Sequence, residues 1–86
     1  MKILIVEDEP MTADRLGKML NEIKPGIEIL AQTDTVEDTV AWLKNHTEPD
    51  LILLDIHLAD ASSFEIFKQV EVNCPVIFTT AYDQYA

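Results

Sequence analysis

The run Leu51-Ile52-Leu53-Leu54 is the feature that most constrains the fold of this chain. Four consecutive large aliphatic residues predict a strand buried on both faces, as in a parallel sheet covered by helices on each side. Asp55 follows the run directly, and open α/β sheets bind ligands at the carboxyl ends of their strands. The amino terminus repeats this pattern, because residues 3–6 are aliphatic and Glu7 and Asp8 come next. The sequence therefore predicts three carboxylates at one edge of one sheet.

The chain is strongly acidic. It has 16 Asp and Glu against 6 Lys and Arg, which gives a formal net charge of −10. The six cations are scattered along the sequence, whereas direct contact with nucleic acid needs a clustered basic face. The charge argues against a nucleic-acid interface and favours a bound cation or a basic protein partner.

The cysteine content and the lengths of the apolar runs indicate the cellular compartment of the protein. Cys74 is the single cysteine, so no intrachain disulfide can form and a reducing compartment is favoured. Residues 3–6 are too short for the core of a signal peptide, and no apolar run approaches the ~20 residues of a membrane span. We therefore expect a cytoplasmic protein without membrane association.

Strand and helix patterns alternate along the 86 residues, which suffice for one small domain. We predict, in chain order, a strand at 3–6, a helix at 10–23, a strand at 27–32, a helix from Thr35 to about 45–46, a strand at 50–55, a helix capped by Ser62 or Ser63, and a strand at 76–79. Thr35 is a good N-cap, with Asp38 in the capping-box position. This βαβαβαβ order predicts right-handed crossovers and a parallel sheet.

Apolar spacing identifies the inward face of each predicted helix. Each set recurs at three- and four-residue intervals: Ala13, Leu16, Met19, Leu20 and Ile23 in the first helix, Val36, Val40 and Leu43 in the second, and Phe64, Phe67 and Val70 in the third. Ile27, Ile29 and Ala31 alternate in the second strand, which predicts that they share one face of the sheet.

A cluster of Glu7, Asp8 and Asp55 would repel itself. At ~4–5 Å and an effective dielectric of about 20, each pair costs roughly 3–4 kcal/mol. Such a cluster takes up a proton or holds a cation, and oxygen ligands select a hard ion such as Mg²⁺. A divalent ion beside a carboxylate also lets an anionic nucleophile approach a phosphate. Each acid alone is equally consistent with a helix cap or a solvated loop residue, so the argument depends on the three occurring together.

Three blocks of this sequence resemble the receiver domain of two-component response regulators. They are ILIVEDEP at residues 3–10, LILLDIHL at 51–58 and PVIFTTA at 75–81, in the family's order and spacing. The turn at residues 58–60 and the stretch at 80–83 are most similar to receivers that precede LytTR-type DNA-binding domains.

The resemblance implies a role for each matching residue. Asp55 corresponds to the phospho-accepting aspartate, and Glu7 and Asp8 correspond to the acidic pair that holds Mg²⁺ together with it. His57 corresponds to the position whose backbone carbonyl is the remaining protein ligand. Thr80 corresponds to the switch hydroxyl that turns toward the phosphoryl group.

The resemblance also implies a fold and exposes departures from the family pattern. The expected architecture is a flavodoxin-like, doubly wound parallel sheet in the order 2-1-3-4. Ala81 corresponds to the small residue that leaves the phosphoryl group accessible. The family's fifth strand, its lysine and its fifth helix have no counterpart here, since no lysine follows Lys68. Residues 1–86 are therefore expected to be a receiver domain that is incomplete at its C-terminus.

The function implied is that of a signalling switch rather than a turnover enzyme. The implied partners are a sensor histidine kinase and an output DNA-binding domain absent from this chain, and the bare fourth strand suggests a homodimer or small oligomer. One alternative is a pseudo-receiver or fragment that acts only through protein contacts. Another is a nucleotide- or flavin-binding module, which the absence of a glycine-rich turn at residues 7–10 disfavours.

Overall fold

The structure is a computed structural model that describes residues 1–79. Its strands are β1 (Lys2–Val6), β2 (Glu28–Thr33), β3 (Leu51–Leu54) and β4 (Val76–Phe78), and its helices are α1 (Pro10–Ile23), α2 (Val36–Asn45) and α3 (Phe64–Gln69). The predicted βαβαβαβ order is confirmed. None of the three helices within residues 1–79 could serve as a membrane span.

The four strands form one parallel sheet in the order β2-β1-β3-β4. Val6 is paired with Leu54, and Leu54 is paired in turn with Phe78. The carboxyl ends of β1, β3 and β4 therefore finish level with one another, so residues that follow them share one edge. This confirms the flavodoxin-like α/β fold with strand order 2-1-3-4.

Helices cover both faces of the sheet, which is why the central strands read as unbroken apolar runs. On one face, Leu4, Val6, Ile52 and Leu54 pack with residues of α2 and α3. On the other face, Ile3, Ile5 and Leu53 pack with residues of α1, chiefly Ala13, Leu16 and Leu20. Successive strand residues thus enter different cores, as the alternation of a strand requires.

A bulge in β2 overturns part of the predicted alternation. Ile3 pairs with Ile29, yet Leu4 pairs with Ala31, so Leu30 is an extra residue in the ladder. The extra residue reverses the alternation, because a strand changes face with every residue. Ile29 consequently packs with the α1 core and Ala31 with the α2 core, whereas the sequence predicted one shared face.

The predicted helix faces are correct for α2 and partly wrong for the other two helices. Val36 and Val40 are buried and Leu43 packs against them. In α1, Met19 and Ile23 are exposed although their spacing predicted burial.

In α3 the buried residue is Ile66, which is 2% exposed, while Phe64 and Phe67 are 50% and 38% exposed. A helix of six residues has too few apolar positions for spacing alone to single out its inward face.

Candidate functional site

Backbone hydrogen bonds extend the sheet by one residue at three strand ends. The amide of Asp55 donates to the carbonyl oxygen of Val6 at 2.9 Å, and the amide of Glu7 donates to that of Thr33 at 2.9 Å. The amide of Thr79 donates to the carbonyl oxygen of Leu54 at 3.0 Å. These bonds place the residues that follow β1, β3 and β4 beside one another at the carboxyl edge.

Glu7, Asp8 and Asp55 meet at this edge, as the sequence predicted. One carboxylate oxygen from each residue lies within 4.8 Å of the others, an arrangement that can hold a metal ion. Glu7 and Asp55 are buried, whereas Asp8 is exposed. The site is therefore open to solvent on the side of Asp8 and enclosed on the side of the strands.

Within the cluster, Glu7 has a strongly raised pKa. Its pKa rises from 4.5 to about 7, mainly because burial disfavours its charged form, although the amide of Glu9 opposes the rise by donating to Oε1 at 3.1 Å. The charge of Asp55 raises the pKa as well, and so do hydrogen bonds shared with the side chains of Asp55 and Asp8. Without a cation, the cluster relieves its repulsion by holding a proton on Glu7 below about pH 7.

The donor atoms of the cluster fit a hard divalent cation. All three side chains offer carboxylate oxygens, and Oδ1 of Asp55 is buried without a hydrogen-bond partner among residues 1–79. A buried carboxylate oxygen without a donor is costly, and a bound cation would compensate it. Few protein ligands and an exposed side favour Mg²⁺, which retains several water ligands.

The remaining predicted site residues have different outcomes. His57 follows the cluster in the β3–α3 loop, where its side chain is exposed and its backbone forms an isolated bridge with Ser62. Its role as a carbonyl ligand stays a prediction. Thr80 and Ala81 lie outside the described residues. Thr79, the last described residue, is half-buried beside the end of β3.

Sequence reasoning missed the polar contacts that surround α2. Asp60, in the β3–α3 loop, accepts hydrogen bonds from the first two amides of α2, those of Val36 and Glu37, at 2.8 and 3.2 Å. Thr33 and Thr39 are both buried, and their hydroxyl oxygens lie 2.7 Å apart. No local pattern predicts the contacts of Asp60, since Asp60 and Val36 are 24 residues apart.

Comparison with known proteins identifies the class to which this fold and acidic edge belong. The family model of the response regulator receiver domain matches residues 3–86. The chain therefore belongs to the response regulator receiver family.

Individual relatives agree with that assignment. The sensory transduction protein LytT of Bacillus anthracis is 39% identical over 89 residues, covering 100% of this chain and 35% of the relative. The transcriptional regulatory protein LytR of Staphylococcus aureus (strain N315) is 36% identical over 89 residues, again covering 100% of this chain and 35% of the relative. These relatives confirm the resemblance to the receivers of LytTR-type regulators.

A solved structure of the MaeR response regulator bound to beryllium trifluoride matches with a TM-score of 0.77 and 27% identity. The match covers 96% of this chain and 69% of that one. The chain spans about a third of the length of the LytT and LytR relatives.

Proposed function

We propose that this domain accepts a phosphoryl group on Asp55 from a phosphohistidine of a sensor histidine kinase, with Mg²⁺ held by Glu7, Asp8 and Asp55. The observation that carries the proposal is the acidic cluster: one carboxylate oxygen from each of Glu7, Asp8 and Asp55 lies within 4.8 Å of the others, and Oδ1 of Asp55 is buried without a hydrogen-bond partner among residues 1–79. The backbone carbonyl of His57 is proposed as the remaining protein ligand. The comparisons support this by assigning the chain to the receiver family.

The proposed reaction is the transfer of a phosphoryl group from a histidine nitrogen to a carboxylate oxygen of Asp55. A carboxylate oxygen of Asp55 forms a bond to phosphorus as the bond between phosphorus and the histidine nitrogen breaks, and the imidazole leaves with that electron pair. When bound, Mg²⁺ would neutralise charge on the carboxylates and on the phosphoryl oxygens. Asp55 is held for this attack by its backbone bond to Val6. Thr80 and Ala81 are proposed to contact the phosphoryl group and to leave it accessible.

The proposed cellular role follows from the relatives. LytR is named a transcriptional regulatory protein, and we propose that this domain likewise signals to a DNA-binding output domain. The domain acts as a switch that promotes its own phosphorylation and dephosphorylation. A lone cysteine and a kinase partner are consistent with a cytoplasmic location.

Beryllofluoride with Mg²⁺ tests the proposal. We expect the wild-type chain to bind beryllofluoride only when Mg²⁺ is present, with Mg²⁺ itself binding in the millimolar range, and acetyl phosphate to add the mass of one phosphoryl group. Asp55→Asn should abolish the labelling, and Asp8→Asn should weaken Mg²⁺ binding. Asp38→Asn, an equal change of charge at an exposed position of α2, should alter neither. A folded wild-type chain that binds neither Mg²⁺ nor beryllofluoride would favour the pseudo-receiver alternative.

A further inference from the structure

Asp60 caps helix α2 from a distant segment of the chain. Its carboxylate accepts hydrogen bonds from the amides of Val36 and Glu37, the first two residues of α2. Oγ1 of Thr35 accepts the next amide, that of Asp38, at 3.0 Å. The first three amides of α2, which a helix cannot pair internally, are therefore all satisfied, and two of them depend on Asp60.

The loop that carries Asp60 is also the loop that leaves the acceptor Asp55. The amide of Ser63 donates to the carbonyl oxygen of Ile56 at 2.8 Å, and the amide of Leu58 donates to that of Ala61 at 3.1 Å. Leu58 is buried in the core beside α2. These contacts close the loop into a compact unit that connects Asp55 to Asp60.

A second set of hydrogen bonds joins the same turn of α2 to Glu7. The hydroxyl of Thr39 donates to the carbonyl oxygen of Thr35 at 2.7 Å. That use of its proton leaves Thr39 Oγ1 as the acceptor for the hydroxyl of Thr33, 2.7 Å away. The carbonyl oxygen of Thr33 accepts the amide of Glu7. The first turn of α2 is thus connected to the strand end that carries Glu7.

We infer that Asp60 is a positioning residue that couples the acidic site to α2. By bonding to the first turn of α2, it connects the β3–α3 loop, which follows Asp55, to the turn of α2 that is joined through Thr39 and Thr33 to the amide of Glu7. A change of state at Asp55 then reaches α2 through the loop, and the position of α2 in turn affects cation binding. Only the effect on cation binding rests on the proposed function, since the hydrogen bonds that connect Asp60 to the amide of Glu7 are present without a cation.

The behaviour of the Glu7 amide distinguishes this coupling from ordinary helix capping. The hydrogen bond from the amide of Val36 lowers the pKa of the Asp60 carboxyl, as expected for any carboxylate that caps a helix. A cap that acts only locally would protect the amides of Val36 and Glu37 and nothing beyond them. A coupling residue must also affect the amide of Glu7, which Asp60 does not touch.

Hydrogen exchange of individual amides by NMR, without metal, is the first measurement. In Asp60→Ala we expect faster exchange at Val36 and Glu37, and at least about 5-fold faster exchange at Glu7, the lower end of typical coupling between sites. Asp60→Asn keeps one acceptor oxygen and should show a smaller change, which preserves the test if Asp60→Ala fails to fold. Asp38→Asn removes the same charge at an exposed position of the same helix end without altering either bond to Asp60, and should leave Glu7 unchanged.

Mg²⁺ titration of the same variants is the second measurement. We expect Asp60→Ala to weaken Mg²⁺ binding by about 5-fold or more relative to Asp38→Asn. If Val36 and Glu37 exchange faster while Glu7 exchange and Mg²⁺ affinity match those of Asp38→Asn, then Asp60 is a local cap and the inference is wrong. A wild-type chain that bound no Mg²⁺ would overturn the proposed function instead, and the Glu7 amide would still decide the role of Asp60.

Discussion

The amide nitrogen of Asp55 lies 2.9 Å from the carbonyl oxygen of Val6. This bond is one step beyond the β1–β3 ladder, whose last pair is Val6 and Leu54. Glu7 follows Val6 directly in the chain. The hydrogen bond therefore brings Asp55, which follows β3, beside Glu7, which follows β1. The acidic cluster is therefore set by the register of two buried strands rather than by a flexible loop.

The raised pKa of Glu7 makes Mg²⁺ binding depend on pH. The native metal-free chain keeps a proton on Glu7 between its ordinary pKa of 4.5 and the native value of about 7. Mg²⁺ must displace that proton, so its affinity should increase as pH rises toward about 7 and level off above it. Glu7→Gln cannot bind the proton and should flatten this dependence. Titrations at several pH values make the comparison, and a pH-independent wild-type affinity would contradict it.

The same group predicts how stability varies with pH in the absence of metal. A native pKa above the unfolded value means that the folded state binds more protons, so the contribution of Glu7 is fully present below pH 4.5. It is lost as pH rises through about 7. Denaturant unfolding across this range should therefore show Glu7→Gln gaining stability relative to wild type as pH increases. A constant difference between the two proteins would show that Glu7 does not titrate in this range.

Ile66 is the residue of α3 that is buried in the core. Its side chain is 2% exposed in the core formed with α2, and truncation of such a residue leaves a cavity. Ile66→Ala should lower the free energy of unfolding by about 2–5 kcal/mol. Phe67→Ala removes a larger side chain from the same helix at a position that is 38% exposed, and should cost less. Denaturation followed by circular dichroism would measure both losses of stability. Side-chain size alone would predict the larger loss for Phe67→Ala, whereas burial predicts it for Ile66→Ala.

Adjacent serines at the start of α3 should respond in opposite directions to truncation. The hydroxyl of Ser63 is fully buried and has no hydrogen-bond partner among the described residues, so Ser63→Ala should stabilise the fold by about 1 kcal/mol or more. Oγ of Ser62 accepts the amide of Phe64 at 3.3 Å, so Ser62→Ala should destabilise it by about 0.5–1 kcal/mol. Equal effects in thermal unfolding would mean that the Ser63 hydroxyl finds a partner in solution.

Among residues 1–79, β4 is the outer strand on its side of the sheet, and its exposed side chains predict self-association of this chain. Ile77 is 52% exposed, and Phe78 and Phe64 form an exposed aromatic pair with ring centroids 5.5 Å apart. Such an edge strand pairs readily with another copy. We expect light scattering to show a small oligomer that grows with protein concentration and with salt, because salt screens the net charge of −10.

Matched substitutions locate that contact. Ile77→Lys places a charge on the edge and should favour the monomer. Ile23→Lys makes the same change on α1, where Ile23 is 75% exposed, and should leave association unchanged. A wild-type chain that remains monomeric at every concentration would contradict the prediction.

The parts of the structure that local sequence determines were predictable. The buried strands, the cap of α2 by Thr35 and the convergence of the three carboxylates all follow from neighbouring residues and from the level ends of parallel strands. The bulge at Leu30 was not predictable, because an extra residue in a ladder depends on its partner strand. The bonds from Asp60 to α2 join segments whose proximity only the assembled fold creates.

The alternation of β1 between two cores constrains how this domain can change in length. Ile3 and Ile5 enter the α1 core, while Leu4 and Val6 enter the α2 core. Deletion or insertion of one residue inside β1 would exchange these sets and shift Glu7 and Asp8 out of line with Asp55. We therefore expect insertions and deletions among relatives to fall in the turns at residues 24–27 and 46–50, at the edge opposite the carboxylates, where added residues leave both cores and the site in register.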